Sequence, residues 1–160
     1  MNLDKIKLLI QQLKKDSGLQ FIKANTKGTK PPLPFGSYNI TSSYLKGRGR
    51  GSIEYYTEND DSFAKRTQEY RIAVSFTIFA KDNDTAMEKA HQVHQWFLFL
   101  GESFIDEQDM VVSYVGNIQN RTIFLVDSYE YKYGFDIQFR VIDEQIKAVE
   151  SMETINLGGM

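Results

Sequence analysis

The stretch SYEYKYGFDIQFRVID, residues 128–143, alternates without a break: Tyr129, Tyr131, Tyr133, Phe135, Ile137, Phe139 and Val141 hold every second position. Between them stand Glu130, Lys132, Gly134, Asp136, Gln138 and Arg140. A period of two over this length is an amphipathic β-strand, because successive side chains of an extended chain point to opposite faces. One face is aromatic and aliphatic and belongs in a core. The other is charged or small and is open to water or to a partner. No catalytic pattern lies within the stretch.

Working outward, a second strand of the same kind runs from Glu69 to Lys81, with Tyr70, Ile72, Val74, Phe76, Ile78 and Ala80 on one side and Arg71, Ala73, Ser75 and Thr77 on the other. Phe35 to Tyr44 is strand-like, Phe21-Ile22 fits a short strand, and Val111–Ile118 and Thr122–Val126 read as strands around a Gln119-Asn120-Arg121 turn. Pro31, Pro32 and Pro34 impose an extended connection. Glu102–Met110 reads as a connection with Phe104 and Ile105 tucked under the sheet. Glu144–Leu157 reads as a turn followed by a short closing strand.

Helical spacing occurs twice. Leu3, Ile6, Leu9, Ile10 and Leu13 form one apolar stripe, so residues 1–18 read as an N-terminal helix closed by Ser17-Gly18. A central helix follows Lys81-Asp82-Asn83-Asp84: Thr85 and Glu88 have capping-box spacing, and Asn83 or Asp84 serves equally as the cap. Its stripe is Ala86, Ala90, Val93, Phe97 and Leu100, widened by Met87, His94 and Leu98, with Gly101 to stop it. Residues 46–66 read as a flexible loop or hairpin arm with a short strand at Ile53–Tyr56. The expected fold is a single α+β domain over residues 1–160: a mainly antiparallel sheet, two helices packed on one face, and a long β-hairpin or loop arm. The uncovered face is polar in a monomer and adhesive in an assembly.

A chain of 160 residues is large enough to bury roughly 70% of its unfolded surface. With no cysteine, disulfides, zinc–thiolate sites and thiol nucleophiles are excluded. The start Met-Asn-Leu-Asp-Lys lacks the basic segment and apolar core of a secretion signal, and no run approaches the ~20 apolar residues of a membrane span. A soluble, cytoplasmic chain is expected. Nineteen basic against 21 acidic residues give a net charge of −2, which argues against a dedicated nucleic-acid binder.

Candidate chemistry is sparse. Glu88, His91 and His94 have the spacing of a helical metal site, but on a helical wheel they do not converge, and boundary histidines beside a core helix explain them as well. Lys46-Gly47-Arg48-Gly49-Arg50-Gly51 alternates glycine with cations, as a phosphate cradle does, yet matches neither the P-loop nor the dinucleotide fingerprint; a solvated hairpin tip is the plainer reading. Asp60-Asp61, Asp82-Asn83-Asp84 and Asp106-Glu107 lack the spacing of a calcium loop and read as caps and turns. No Gly-x-Ser-x-Gly elbow occurs. Trp96 reads as a core or interface aromatic. No catalytic residue, cofactor or metal is expected.

Four features in sequence order resemble the tailed-bacteriophage neck and tail terminator (tail completion) proteins. They are the lead-in Pro31-Pro32-Leu33-Pro34-Phe35-Gly36, the strand Tyr70–Ala80 running into the helix of Ala86, Ala90 and Trp96, the Val111 strand with Gly116, and Tyr129-Glu130-Tyr131-Lys132-Tyr133-Gly134-Phe135-Asp136. The resemblance spans about Pro31 to Ile155 and leaves out the Gly-Arg repeat. It implies a structural virion protein, not an enzyme, assembled in the host cytoplasm as a homo-oligomeric ring, usually a hexamer. Such a ring caps the tail tube and meets the head–tail connector, with genome DNA passing through its lumen without specific binding and no membrane involved. Lys46, Arg48, Arg50 and Arg66 in the arm, and Glu130, Lys132, Asp136 and Arg140 on the charged face of the long strand, are then the candidate interface residues. The alternatives are a small-ligand-binding or regulatory α+β domain using the open sheet face, and a metal-dependent hydrolase around Glu88, His91 and His94.

Overall fold

A computed structural model describes residues 3–150. Two long strands form its axis: β4 (Asp61–Ala80) and β8 (Tyr129–Val149) pair antiparallel without interruption from Ser62 opposite Val149 to Ala80 opposite Tyr131. At ~3.3 Å per residue each strand is about 65 Å long. Beside the second half of β4 lies β2 (Phe35–Lys46), antiparallel and bulged between Ile40 and Leu45, and beside β2 lies β1 (Gln20–Lys23), in parallel. The other edge of β8 carries β5 (Val111–Val115) and the two-residue strands β6 (Gln119–Asn120) and β7 (Ile123–Phe124). The sheet order β1-β2-β4-β8-β5 confirms the mixed α+β, mainly antiparallel architecture.

One face of this sheet is dry. Tyr70, Ile72, Val74, Phe76, Ile78 and Ala80 from β4 and Tyr133, Phe135, Ile137, Phe139 and Val141 from β8 are buried, the valines, isoleucines and phenylalanines each contributing on the order of 1.5–3 kcal/mol. They pack under α1 (Leu3–Ser17), which buries Ile6, Leu9, Ile10 and Leu13, and α2 (Asn83–Gln95), which buries Ala86, Ala90 and Val93. Phe76 is the hub, with ring centroids 4.8 Å from Phe97, 6.0 Å from Phe135 and 6.3 Å from Phe21. The helices are joined by Trp96, whose Nε1 donates to Asp16 Oδ2 at 2.8 Å. Tyr38 on β2 packs against the edge of this core, and its partial burial raises the phenol pKa.

Several sequence expectations are corrected. The cap of α2 is Asp82, whose carboxylate accepts from Thr85 N at 2.7 Å and from the Thr85 hydroxyl at 3.0 Å. The backbone bond to Thr85, then its hydroxyl, holds the Asp82 carboxyl below the usual carboxylate range. After Gln95 the helix widens into a π turn, Trp96–Leu100, in which Gly101 N reaches back five residues to Trp96 O at 2.8 Å. That wider turn rotates Leu98 and Leu100 away from the stripe expected for them, and both are exposed. Gly101 is required because a side chain there would strike the Trp96 ring.

Glu102–Glu107 forms a short helix, α3, with Ile105 buried. The apolar run Thr122–Val126 contributes only the two residues of β7, since its remaining side chains find no core. β4 begins at Asp61 rather than Glu69, and β8 continues to Val149 where a turn was expected. The expected closing strand at 151–157 lies outside the described residues.

Candidate functional site

The extra lengths of β4 and β8 build a three-stranded arm. β3 (Ser52–Glu58) pairs with Asp61–Thr67 of β4, and Ser62–Thr67 of β4 pair on the other side with residues 144–149 of β8. The turn between β3 and β4 is Asn59-Asp60, both at positive φ (51° and 66°), as a two-residue hairpin requires. Among the described residues no helix covers the arm, and Ile53, Tyr55, Ile142 and Ile146 are exposed, while Tyr56 and Phe63 stack across the strands at 5.4 Å. Its root holds the Gly-Arg loop: Gln68 Nε2 donates to Gly49 O at 3.1 Å and Arg66 Nε to Arg50 O at 2.9 Å. Gln68 Oε1 is buried there without a partner.

The opposite pole of the sheet is also apolar at its surface. Phe124, Leu125 and Val126 are exposed, Val126 by 91%, and Tyr129 stacks on Tyr131 at 5.8 Å and meets the tilted ring of Phe124 at 5.0 Å. Beside them two neighbouring grooves of about 460 and 510 Å³ share Lys30, Phe35, Phe79 and Glu130 in their walls. A third exposed patch is the outer side of the π turn, where Phe99 is 73% and Leu100 70% exposed.

The face of the sheet turned away from the helices is organised by Arg121. Its Nη1 donates to Ser75 Oγ at 2.8 Å, Thr77 Oγ1 at 2.9 Å and Phe76 O at 3.2 Å, while Nη2 meets Asp136 Oδ1 and Gln119 Oε1, each at 3.3 Å. The guanidinium lies where a side chain on residue 134 would be: a Cβ on Gly134 would strike Phe76 O and come within 2.5 Å of Arg121 Nη1. Sequence reasoning placed Arg121 in a turn and missed this role. The available signal was Gly134 itself, since a glycine inside an otherwise unbroken strand marks a close approach.

The eight candidate interface residues do not form one surface. Glu130 and Lys132 pair at 3.0 Å at the apolar pole, with Lys132 Nζ 5.5 Å from the Phe79 ring centre. Asp136 is held by Arg121, and Arg140 Nε lies 3.9 Å from Glu69 at the root of the arm. From Glu130 to Arg140 the strand advances about 33 Å. Lys46 ends β2, Arg48 and Arg50 sit in the root loop, and Arg66 is on the helix side of the arm, the opposite face from Arg140.

His91 and Glu88 are exposed, whereas His94 is half-buried, its Nε2 2.9 Å from Gly116 O and its ring edge-on to Phe135. Among the described residues no three His, Asp or Glu side chains lie close enough together to hold a metal ion. No described helix is long and apolar enough to cross a membrane.

A two-faced sheet with uncovered apolar surface at both ends and on the helix layer defines a class of protein that works through contact with other proteins. The sequence profile of the phage neck terminator proteins matches residues 4–159, and the chain belongs to that family. It is therefore a structural protein of the bacteriophage neck, a component of the virion's tail and neck region that contacts other tail or head proteins. No curated protein matches it. Among the solved structures that match, one aligns over 88% of this chain and 96% of its own at 14% identity, with a TM-score of 0.41.

Proposed function

We propose that this chain is the ring-forming subunit, a hexamer, that ends the tail tube and joins it to the head connector. Its role is structural and not enzymatic, and its assembly takes place in the host cytoplasm. The observation that carries this reading is the pair of uncovered apolar surfaces at the two ends of β4 and β8. A heterologous contact that repeats until it closes produces a ring, and it needs two different surfaces on each subunit. The charged face of β8, with Glu130, Lys132, Asp136 and Arg140, serves as interface or lumen wall. The root of the arm, with Arg48 and Arg50 in its loop and Lys46 and Arg66 on the strands beside it, serves as a second contact. A net charge of −2 suits a lumen through which DNA slides without specific binding.

The competing use of the open face, binding a small regulatory ligand, has Arg121 against it, because the guanidinium already covers the centre of that face. Native mass measurement of the chain, alone and mixed with tail tube protein and with connector, tests the ring. A discrete oligomer that associates with either partner is expected. A strictly monomeric chain that joins neither overturns the reading.

A further inference from the structure

Charge is segregated along this chain. Residues 17–53 carry six cations and no anion, and residues 54–61 carry Glu54, Glu58, Asp60 and Asp61 and no cation. The fold sends Lys23, Lys27 and Lys30 to one end and the acidic run to the other, with Lys46, Arg48 and Arg50 between them at the root of the arm. The groove of about 510 Å³ at the apolar pole is walled by Lys23, Lys27, Lys30 and Lys132 around Phe35 and Phe79, and Glu130 offsets one of the four cations. The arm ends in the acidic turn from Glu58 to Asp61, directly behind the stacked Tyr56 and Phe63. Each surface is aromatic with charges at its border, and the charges are opposite in sign.

Resting on the ring reading above, we propose that the arm tip of one copy docks into the basic aromatic groove of the next, a head-to-tail contact between two copies of this chain. Glu58 and Asp61 face Lys27 and Lys30, while Tyr56 and Phe63 approach Phe79. A chain cannot make this contact with itself. Tip and groove lie at opposite ends of β4, about 65 Å apart, and the ladder with β8 holds them there. Duplex DNA is the rival occupant of a lysine-bordered groove. The aromatic floor, the Glu130 carboxylate in the wall and the matching acidic tip favour the protein contact.

Charge reversal in the full-length chain tests the contact through native mass and light scattering. K27E/K30E and E58K/D61K change exposed residues outside the core, and a thermal melt confirms that each variant folds. Each variant alone is expected to assemble at least about a hundredfold more weakly than the unaltered chain, because like charges meet at every junction. Their equimolar mixture is expected to assemble as the unaltered chain does, since in an alternating order every junction again pairs opposite charges. Two variants that each assemble normally would overturn the contact and leave the ring standing, as would a mixture that fails to recover. An unaltered chain that stays monomeric with and without tail tube protein would overturn the ring and this contact together. Duplex DNA binding that K27E/K30E abolishes while assembly is untouched would assign the groove to nucleic acid and overturn the proposal.

Discussion

Arg121 and Gly134 are complementary: the guanidinium of one occupies the space that the missing side chain of the other leaves on the open face of the sheet. Gly134→Ala is therefore expected to cost about 1–3 kcal/mol, since the Phe76 carbonyl is backbone and cannot move aside. Arg121→Ala leaves the part-buried Ser75 and Thr77 hydroxyls and the Phe76 carbonyl without their donor and is expected to cost a similar ~1–3 kcal/mol. Urea unfolding of the two single variants and the double variant checks both. A coupling of about 0.5–1 kcal/mol is expected, because one of the two clashes disappears with the arginine.

The Asp82 cap gives the helix α2 a pH response. Its carboxyl is held below its unfolded value by the Thr85 backbone N–H and hydroxyl, so its contribution is present at neutral pH and is lost as pH falls through the folded value. Asp82→Asn keeps a cap that does not titrate. The melting temperature of the natural chain is expected to fall towards that of D82N, and then below it, as pH drops through the carboxylate range. Parallel melting curves for the two proteins at every pH would show that Asp82 is not responsible.

Phe99→Asp/Leu100→Asp tests the π-turn patch. Both side chains are mostly exposed, so unfolding free energy is expected to change by no more than about 0.5 kcal/mol. Binding to tail or head partners is expected to weaken by at least about tenfold if this patch is a contact surface, as pull-down against purified tail tube protein or connector would show.

Arg48→Ala/Arg50→Ala leaves the root of the arm intact, because Arg66 and Gln68 bind the loop through the backbone carbonyls of Arg50 and Gly49. Stability is expected to hold within about 0.5 kcal/mol, while tail completion is impaired. Complementation with normal titres of tailed particles would show that these two cations are dispensable.

What was legible in the sequence is what the core enforces. The period of two in Tyr70–Ala80 and Tyr129–Val141, and the stripe of Leu3 to Leu13, are visible because one face of each is dry. The first eight residues of β4 and the last eight of β8 left no such trace: outside the helix layer neither face is dry, so residues 46–66 read as a flexible loop or hairpin arm and the chain from Glu144 as a turn. Leu98 and Leu100 were misplaced for a different reason, a π turn adding a residue to a stripe that looks regular at 3.6. Arg121 carries no local mark at all. Its partners come from β4 and β8, which only the fold brings to it.

The unbroken pairing of β4 with β8 also makes this subunit a ruler. The separation between its two ends is set by a count of residues and not by the packing of one body on another. Removing two residues from each strand at facing positions of the arm would bring the ends about 7 Å closer and leave every side chain on its original face. Removing one from each would change the reach by half as much and turn the whole tip over. Length can therefore vary in this arm only in steps of two, and any change in the spacing of whatever it touches is quantised in the same way.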